Sequence, residues 1–363
     1  MTPDARSRRG YILVELLIAA AVVCTLLGVL LRLCVTAQVS VRAHGNSADL
    51  QQRLRVAVEA IRRDLLDAGA GLSNGVSPGP LIDAFAPVLP VRSGVTGADP
   101  DMGYHADRIT ITYVPREASQ TRLGANMTAA TSPLVVDPST AGCPSGGLCG
   151  FGIGDRVLVY EPADGDGSHD VFTVAAADSL SGCLTPAAPL SRAYRANSRI
   201  ATVVQRVYYL DRAGRRLMVY DGDRSDVPLV DHVVDLRFTF YADPLPTSVA
   251  PPPDGAFNCA YAAGTPPVPL LQDLGGASLV ALTASQLTDG PACGTWPRRF
   301  DADLLRVRRV RVSLRLEAEG AEFRGSGTLF ANPGTSADAL RYIPDLQLTF
   351  DVAPRNFLNP PRR

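Results

Sequence analysis

One carboxylate, Glu15, lies inside an otherwise uncharged apolar run from Tyr11 to Leu31. At about 1.5 Å per residue this run would form a helix of roughly 30 Å, which matches the hydrocarbon core of a bilayer. An ionised carboxylate in a membrane helix is costly unless it is paired, so we expect Glu15 to have a functional partner. The basic segment from Arg6 to Arg9 precedes the run and should stay in the cytoplasm, which would leave the bulk of the chain outside the inner membrane.

A second group of residues that could bind a ligand is the acidic segment that contains Asp164, Asp166 and Asp170. Calcium prefers such oxygen-rich loops, but the glutamate that completes an EF-hand loop is missing. The segment also falls between two predicted strands, where Asp-Gly is common in hairpin turns. We therefore favour a turn, with calcium as the alternative, and predict no metal centre.

Three arginines, Arg309, Arg311 and Arg315, share one face of a predicted strand and could contact nucleic acid. The alternative is a solvated sheet face on which the arginines pair with carboxylates. A formal net charge of −1 gives no general attraction to a polyanion. We favour the solvated face and expect no nucleic-acid partner.

No residue pattern indicates catalysis. The four histidines are scattered, and the chain has no GxSxG segment of the kind that presents a nucleophilic serine. The glycine pair Gly152 and Gly154 lacks the lysine of a phosphate-binding loop. The sequence therefore predicts neither an enzyme nor a cofactor.

Five cysteines lie beyond the apolar run, in what we expect to be an oxidising compartment where disulfides form. Cys143 and Cys149 bracket a glycine-rich turn and suggest a local disulfide, while Cys259 and Cys293 could close a proline-rich segment. Cys183 would then have no partner. Other connectivities remain open at this point.

The apolar run is followed by a second stretch with helical spacing. Its apolar positions recur every three or four residues, which defines one face of an amphipathic helix: Leu50, Leu54, Val58, Ile61 and Leu65. Gly69 and Gly71 should end it. An unbroken helix from Tyr11 to Ala68 would be about 87 Å long; the alternative is a short anchor followed by a separate soluble helix.

Beyond Gly71 apolar residues recur mainly at every second position, as in antiparallel strands with one buried and one solvated face. Strands are predicted at 108–113, 156–161, 171–175, 207–210, 217–220, 234–240, 309–316 and 346–352. A proline-rich insertion at about 243–297 interrupts them. The predicted class is α+β, with a long N-terminal helix, first transmembrane and then amphipathic, packed on an antiparallel β-sheet domain.

The Gly10–Tyr11 junction, with Glu15 five residues after the glycine, resembles the class III signal peptide of type IV pilins and type II secretion pseudopilins. The resemblance implies that a prepilin peptidase cuts after Gly10 and that Tyr11 becomes the new, often methylated, N-terminus. Tyr11 stands where phenylalanine is usual, and Ile12 where threonine is common. A simple membrane anchor and an ordinary secretion signal are the alternatives.

The segment 51–69 resembles the corresponding part of PilW-type minor pilins and the related J-type pseudopilins, and the pair Arg355-Asn356 adds a weaker similarity. In those families this segment forms the lower half of the N-terminal helix and packs on the globular domain. The implied organisation is a leader at 1–10, a transmembrane helix at 11–31, its amphipathic continuation at 32–68 and a β-rich pilin-like domain at 69–363.

The resemblance implies a structural subunit for type IV pilus assembly, in a priming or tip complex. Its expected partners are the prepilin peptidase, other major and minor pilins, and inner-membrane lipid before assembly. The expected location is the inner membrane, with a single pass and a periplasmic domain, and then the pilus at the cell surface. The alternatives are a J-type pseudopilin, which is usually shorter, and an anchored periplasmic binding or adhesion module.

Overall fold

A computed structural model describes residues 6–73, 79–140, 143, 147–161, 166–245, 251–336 and 342–357. Positions 1–5 of the expected leader and Asp164 of the acidic segment lie outside the described residues.

The first element is a single long helix, α1 (Arg6–Asp67). It continues through Gly28 and Gly45, where an added Cβ would meet nothing within 4 Å. The structure therefore has one continuous helix rather than an anchor followed by a separate helix. The chain leaves helical geometry just after Asp67, and Gly69 has a φ of 74°.

The strands follow in the order β1 (Val88–Leu89), β2 (Arg108–Tyr113), β3 (Gln120–Arg122), β4 (Leu134–Val135), β5 (Arg156–Tyr160), β6 (His169–Asp178), β7 (Cys183–Pro186), β8 (Arg199–Thr202), β9 (Val204–Asp211), β10 (Arg216–Tyr220), β11 (Asp226–Asp231), β12 (Val233–Ala242), β13 (Tyr261–Ala262), β14 (Val268–Pro269), β15 (Val280–Ala281), β16 (Ala292–Cys293), β17 (Phe300–Asp301), β18 (Val307–Leu316) and β19 (Leu346–Val352). Short 3-10 helices occupy Leu81–Asp83, Ser285–Leu287, Ala302–Arg306, Ala321–Phe323 and Arg355–Phe357.

The larger sheets have five strands (β1-β2-β9-β10-β11), four strands (β15-β12-β18-β19) and six strands (β3-β8-β5-β6-β7-β4). Neighbouring strands pair antiparallel: β2 with β9, β5 with β6, and β12 with β18. The class is therefore α+β, as predicted. The sequence suggested one sheet beneath the helix, whereas the structure divides the strands among several, because a period of two reveals which face is buried but not which strands pair.

By contacts the chain forms two units, the first made of residues 1–52 and 317–346 and the second of residues 53–316 and 347–363. Within the first unit, Glu317 is fully buried and accepts a hydrogen bond from Arg324 Nη1 at 2.5 Å and another from Asn332 Nδ2 at 2.8 Å. A buried carboxylate is tolerated when it is paired and hydrogen-bonded in this way. The described part of the segment 317–346 thus contains a buried carboxylate whose hydrogen-bond partners lie in the same segment.

In the second unit the predicted alternation is clear on β12 and β18. Their inward side chains are almost completely buried: Leu236, Phe238, Phe240, Val310, Val312 and Leu314. The last turns of α1 contribute Ala57, Ile61 and Leu65, which are also fully buried. The six-stranded sheet has a separate apolar cluster that includes Val157, Phe172 and Ile200.

The proline-rich insertion has little regular structure in its described residues, 243–245 and 251–297. It contains the two-residue strands β13 to β16, and β13 pairs with β14. β16 pairs with β17 just beyond the insertion. Such short strands cannot fix a loop by backbone hydrogen bonds alone, so the disulfide described below is its main covalent constraint.

Candidate assembly stem and its anchorage

The N-terminal part of α1 exposes a long, predominantly apolar surface, which we call the apolar stem and define as residues 13–35. Every side chain in it is exposed. Soluble proteins bury most of their large apolar side chains, so a contiguous exposed surface of this size indicates a lipid or protein environment. By length and composition α1 is able to cross a membrane.

Glu15 is the only acidic side chain in the apolar stem. It is exposed, and it has no hydrogen-bond or ion-pair partner among the described residues. A polar neighbour, Thr25, is different because its hydroxyl donates to the backbone oxygen of Val22 at 2.8 Å. Thr25 is therefore satisfied within its own helix.

The predicted processing residues Gly10 and Tyr11 lie within α1. The side chain of Tyr11 is outside the described part of the structure. On a helix, Tyr11 and Glu15 are four residues apart and therefore share a face. The backbone geometry thus places the predicted cleavage position and the carboxylate on one side of α1.

The other end of α1 is anchored by a buried carboxylate that the sequence did not single out. Asp64 is 1% exposed. It accepts hydrogen bonds from Tyr208 of β9 at 2.6 Å and from Tyr113 of β2 at 3.3 Å. Burial and the nearby Asp64 charge raise the pKa of Tyr113 to about 12 and raise the pKa of Tyr208 as well, so both phenols remain donors. The sequence contained one signal for this role: Asp64 follows Ile61 by three residues, a spacing that places it on the apolar face of the helix.

The C-terminus of α1 receives a second set of contacts. Asn356 Nδ2 donates to the backbone oxygens of Ala68 at 3.1 Å and Asp67 at 3.4 Å. These helix-terminal carbonyls have no partner within the helix, so the asparagine acts as a cap from a distant part of the chain. The Gly69 amide donates to the backbone oxygen of Thr112 at 3.0 Å and joins the turn to β2.

The described carboxylates of the predicted calcium segment are occupied by donors. Asp166 accepts from the amide and hydroxyl of Ser168 and pairs with Arg192 at 3.1 Å. Asp170 Oδ2 accepts from Ser191 and from Tyr194, and its Oδ1 faces Arg298 Nε at 3.2 Å. These contacts explain both residues as local structure.

The arginine row has carboxylate and aromatic partners. Arg311 contacts Asp351 with two nitrogens at 2.7 and 3.0 Å, and Arg309 approaches the same carboxylate at 3.5 Å. Both guanidinium groups lie over the Tyr241 ring, at 4.3 Å for Arg309 and 5.0 Å for Arg311. This geometry is the solvated sheet face that the sequence favoured.

The sequence analysis did not identify another acidic group, Asp289, Asp301 and Asp303. Its members are spread over a loop, β17 and a short 3-10 helix. Their oxygens lie within 4.8 Å of one another. Asp301 accepts from the amides of Gly290 at 2.6 Å and Asp303 at 2.9 Å, and Asp303 pairs with the fully buried Arg306. Burial raises the pKa of Asp301 to about 6.

The structure pairs Cys143 with Cys149 and Cys259 with Cys293, the two connections suggested by the sequence. Cys183 is a free thiol. The second disulfide joins residues 34 apart and closes much of the proline-rich insertion.

No protein-family model, curated protein or solved structure matches this chain.

Proposed function

We propose that the chain is a minor pilin, a structural subunit of the complex that initiates a type IV pilus or forms its tip. The observation that carries the proposal is the exposed apolar stem, whose single carboxylate, Glu15, has no partner among the described residues. A simple tether would be more stable in lipid without that residue, since an ionised side chain within the hydrocarbon core is costly unless it is paired.

In this proposal a prepilin peptidase removes residues 1–10 and leaves the amine of Tyr11 as the new N-terminus. The stems of several subunits then pack side by side, and Glu15 pairs with the Tyr11 amine of a neighbour. An ion pair removes most of the penalty that each charge has alone in an apolar core, and it fixes the axial register of the subunits. Before assembly the stem lies in the inner membrane and the β-rich part lies in the periplasm.

The anchorage of α1 supports the same proposal. The C-terminal end of α1 is fixed to the residues that follow it, because Asp64 accepts a hydrogen bond from Tyr208 of β9 and Asn356 donates one to the carbonyl of Ala68.

The decisive experiment compares Glu15→Ala with Thr25→Ala in the organism that carries the chain. N-terminal sequencing should show that both variants start at Tyr11, because neither change touches the cleavage junction. Glu15→Ala should fail to enter pili, whereas Thr25→Ala should assemble normally because its hydroxyl is satisfied within its own helix.

Two results would contradict the proposal. An N-terminus at Met1, or one beyond the apolar run as an ordinary secretion signal would leave, would contradict prepilin processing. Normal pili with Glu15→Ala would contradict a role of Glu15 in setting the register. If loss of the chain abolished protein secretion but left pili intact, the J-type pseudopilin would replace the pilus subunit.

A further inference from the structure

The second unit contains a cavity of about 420 Å³ that the proposed function does not use. Its lining includes three buried polar residues, Thr112, His169 and Gln205, and three residues of the loop before β17, Trp296, Arg298 and Arg299. This volume lies within the range of about 300–1,000 Å³ that is typical of small-molecule sites.

His169 lines the cavity with an uncharged ring. It is 6% exposed and stacks on Phe85 with ring centroids 3.8 Å apart. Burial lowers its pKa to about 4, so the ring is uncharged at neutral pH. Nδ1 lies 3.0 Å from the Gly167 carbonyl, which can only accept, so the proton is on Nδ1 and Nε2 carries the lone pair. Within the described residues Nε2 has no partner.

Gln205 supplies the complementary donor. It is 5% exposed, and its Oε1 accepts from Arg156 Nη2 at 2.9 Å, which fixes the orientation of the amide. Its Nε2 makes no hydrogen bond in the part of the chain that the structure describes. Thr112, which is 6% exposed, likewise uses its backbone groups but leaves its hydroxyl without a protein partner among the described residues.

Within the described residues, none of these three polar atoms is both buried and without a partner, so each atom is accessible to water or to a ligand that could pair with it. The chain thus maintains one acceptor, one donor and one hydroxyl around the same cavity. A ligand that satisfies all three must present groups that both donate and accept.

The charges at the cavity are already compensated. Arg298 pairs with Asp170 and donates to the Val171 carbonyl at 2.8 Å, and Arg299 pairs with Asp101 at 2.8 Å. An ionic ligand is therefore not required. The Trp296 side chain is 70% exposed and offers an aromatic face beside these ion pairs.

We propose that this cavity binds a sugar residue, as a free saccharide or at the end of a glycan. Each sugar hydroxyl can donate to His169 Nε2 and accept from Gln205 Nε2 or from the Thr112 hydroxyl. The apolar C–H face of the ring would lie on the Trp296 indole. This proposal is independent of pilus assembly, because the cavity does not involve the apolar stem.

The test uses the intrinsic fluorescence of Trp296, which is the only tryptophan in the chain. Full-length protein is purified in a detergent without a sugar headgroup and titrated with the methyl glycosides of glucose, galactose, mannose and N-acetylglucosamine. Sodium phosphate and sodium acetate serve as anionic probes. We expect a saturable change with at least one glycoside, at a Kd of about 1 mM or below, and none with the anions.

Two near-isosteric variants test the buried polar groups. Gln205→Glu keeps the acceptor for Arg156 but loses the free donor, and Thr112→Val loses only the hydroxyl. Each should weaken glycoside binding at least about tenfold, as expected when a buried hydrogen bond to ligand is removed. Thr239→Val is the matched control and should bind as the native protein does, because Thr239 does not line the cavity.

If a buried-site variant fails to fold, Trp296→Ala keeps the test decisive, since this exposed side chain is not needed for packing. Its binding is followed by saturation-transfer NMR of the glycoside and should also be weakened. The proposal is overturned if no glycoside binds, if only phosphate or acetate binds, or if folded Gln205→Glu, Thr112→Val and Trp296→Ala bind with native affinity.

Discussion

The hydroxyl of Tyr208 donates to Oδ2 of Asp64 across 2.6 Å and joins β9 to the last turns of α1. The two residues are 144 positions apart, and Asp64 is 1% exposed. A buried carboxylate is tolerated only where donors compensate for lost water. The position of this end of the helix therefore depends on the tyrosine, because a shift or rotation would separate Asp64 from it.

The first prediction concerns that hydrogen bond. Tyr208→Phe should lower the free energy of unfolding by about 1–3 kcal/mol, because it leaves the buried Asp64 with a weaker set of donors. Tyr113→Phe should have a smaller effect, since its bond to the same carboxylate is longer, at 3.3 Å. Urea denaturation of the full-length protein measures both.

Tyr209→Phe is the matched control on the same strand. Its hydroxyl contacts the exposed Asp226, which water can solvate when the bond is lost. We expect a change of less than about 0.5 kcal/mol. Equal losses of unfolding free energy for Tyr208→Phe and Tyr209→Phe would show that burial of Asp64 does not make its hydrogen bond with Tyr208 more stabilising.

The second prediction concerns the turn that ends α1. Gly69 has a φ of 74°, and an added Cβ would lie 2.7 Å from Cε1 of Phe357. Gly69→Ala should therefore destabilise the protein by about 2 kcal/mol or more, through backbone strain of about 1–2 kcal/mol and a steric clash.

Gly255→Ala separates the two contributions. Its φ of 78° is almost the same, but an added Cβ would meet nothing within 4 Å. It should show only the strain of about 1 kcal/mol. If the two alanine variants unfold at the same urea concentration, the contact with Phe357 contributes nothing.

The sequence predictions succeeded where they depended on residues that are close together in the chain. Spacings of three, four and two residues are local, so they placed Ile61 and Leu65 on the buried side of α1 and gave the alternation of β12 and β18. The same rules could not identify Asp64 as an anchor. Its partners are on β2 and β9, and only the folded chain brings them together.

The proposed sugar site illustrates the same limit. Thr112 and Gln205 are ordinary alternating strand residues, and His169 looked like part of an acidic turn. What distinguishes them is a polar atom beside a cavity that has no partner in the described part of the chain, and a sequence contains no such information. Glu15 could be recognised from the sequence because the apolar residues around it are consecutive in the chain.

The third prediction is a pH dependence from His169. Its pKa is about 4 in the folded protein against an ordinary value of 6.5. Between these values the unfolded chain binds a proton that the folded chain does not, so this residue makes the unfolding free energy rise with pH from about 4 to about 6.5. His169→Gln, which does not titrate, should remove that rise. Urea denaturation across this interval measures it.

Asp301 acts in the opposite direction and provides the internal comparison. Its pKa is raised from 3.8 to about 6, so the folded chain retains a proton that the unfolded chain has lost. The unfolding free energy should therefore fall as pH rises through this interval, and Asp301→Asn should abolish the fall. The two variants must change the pH slope with opposite signs; a common sign would exclude at least one assignment.

The last prediction compares the disulfides. Joining residues restricts the unfolded chain more when the loop is longer, so the Cys259–Cys293 link, across 34 residues, should contribute about 4 kcal/mol. The Cys143–Cys149 link spans only six and should contribute about 2 kcal/mol. Paired serine substitutions followed by urea denaturation test the order, and Cys183→Ser controls for the loss of a thiol alone. A larger loss from the short link would mean that native-state packing, rather than restriction of the unfolded chain, determines the contribution of these bonds.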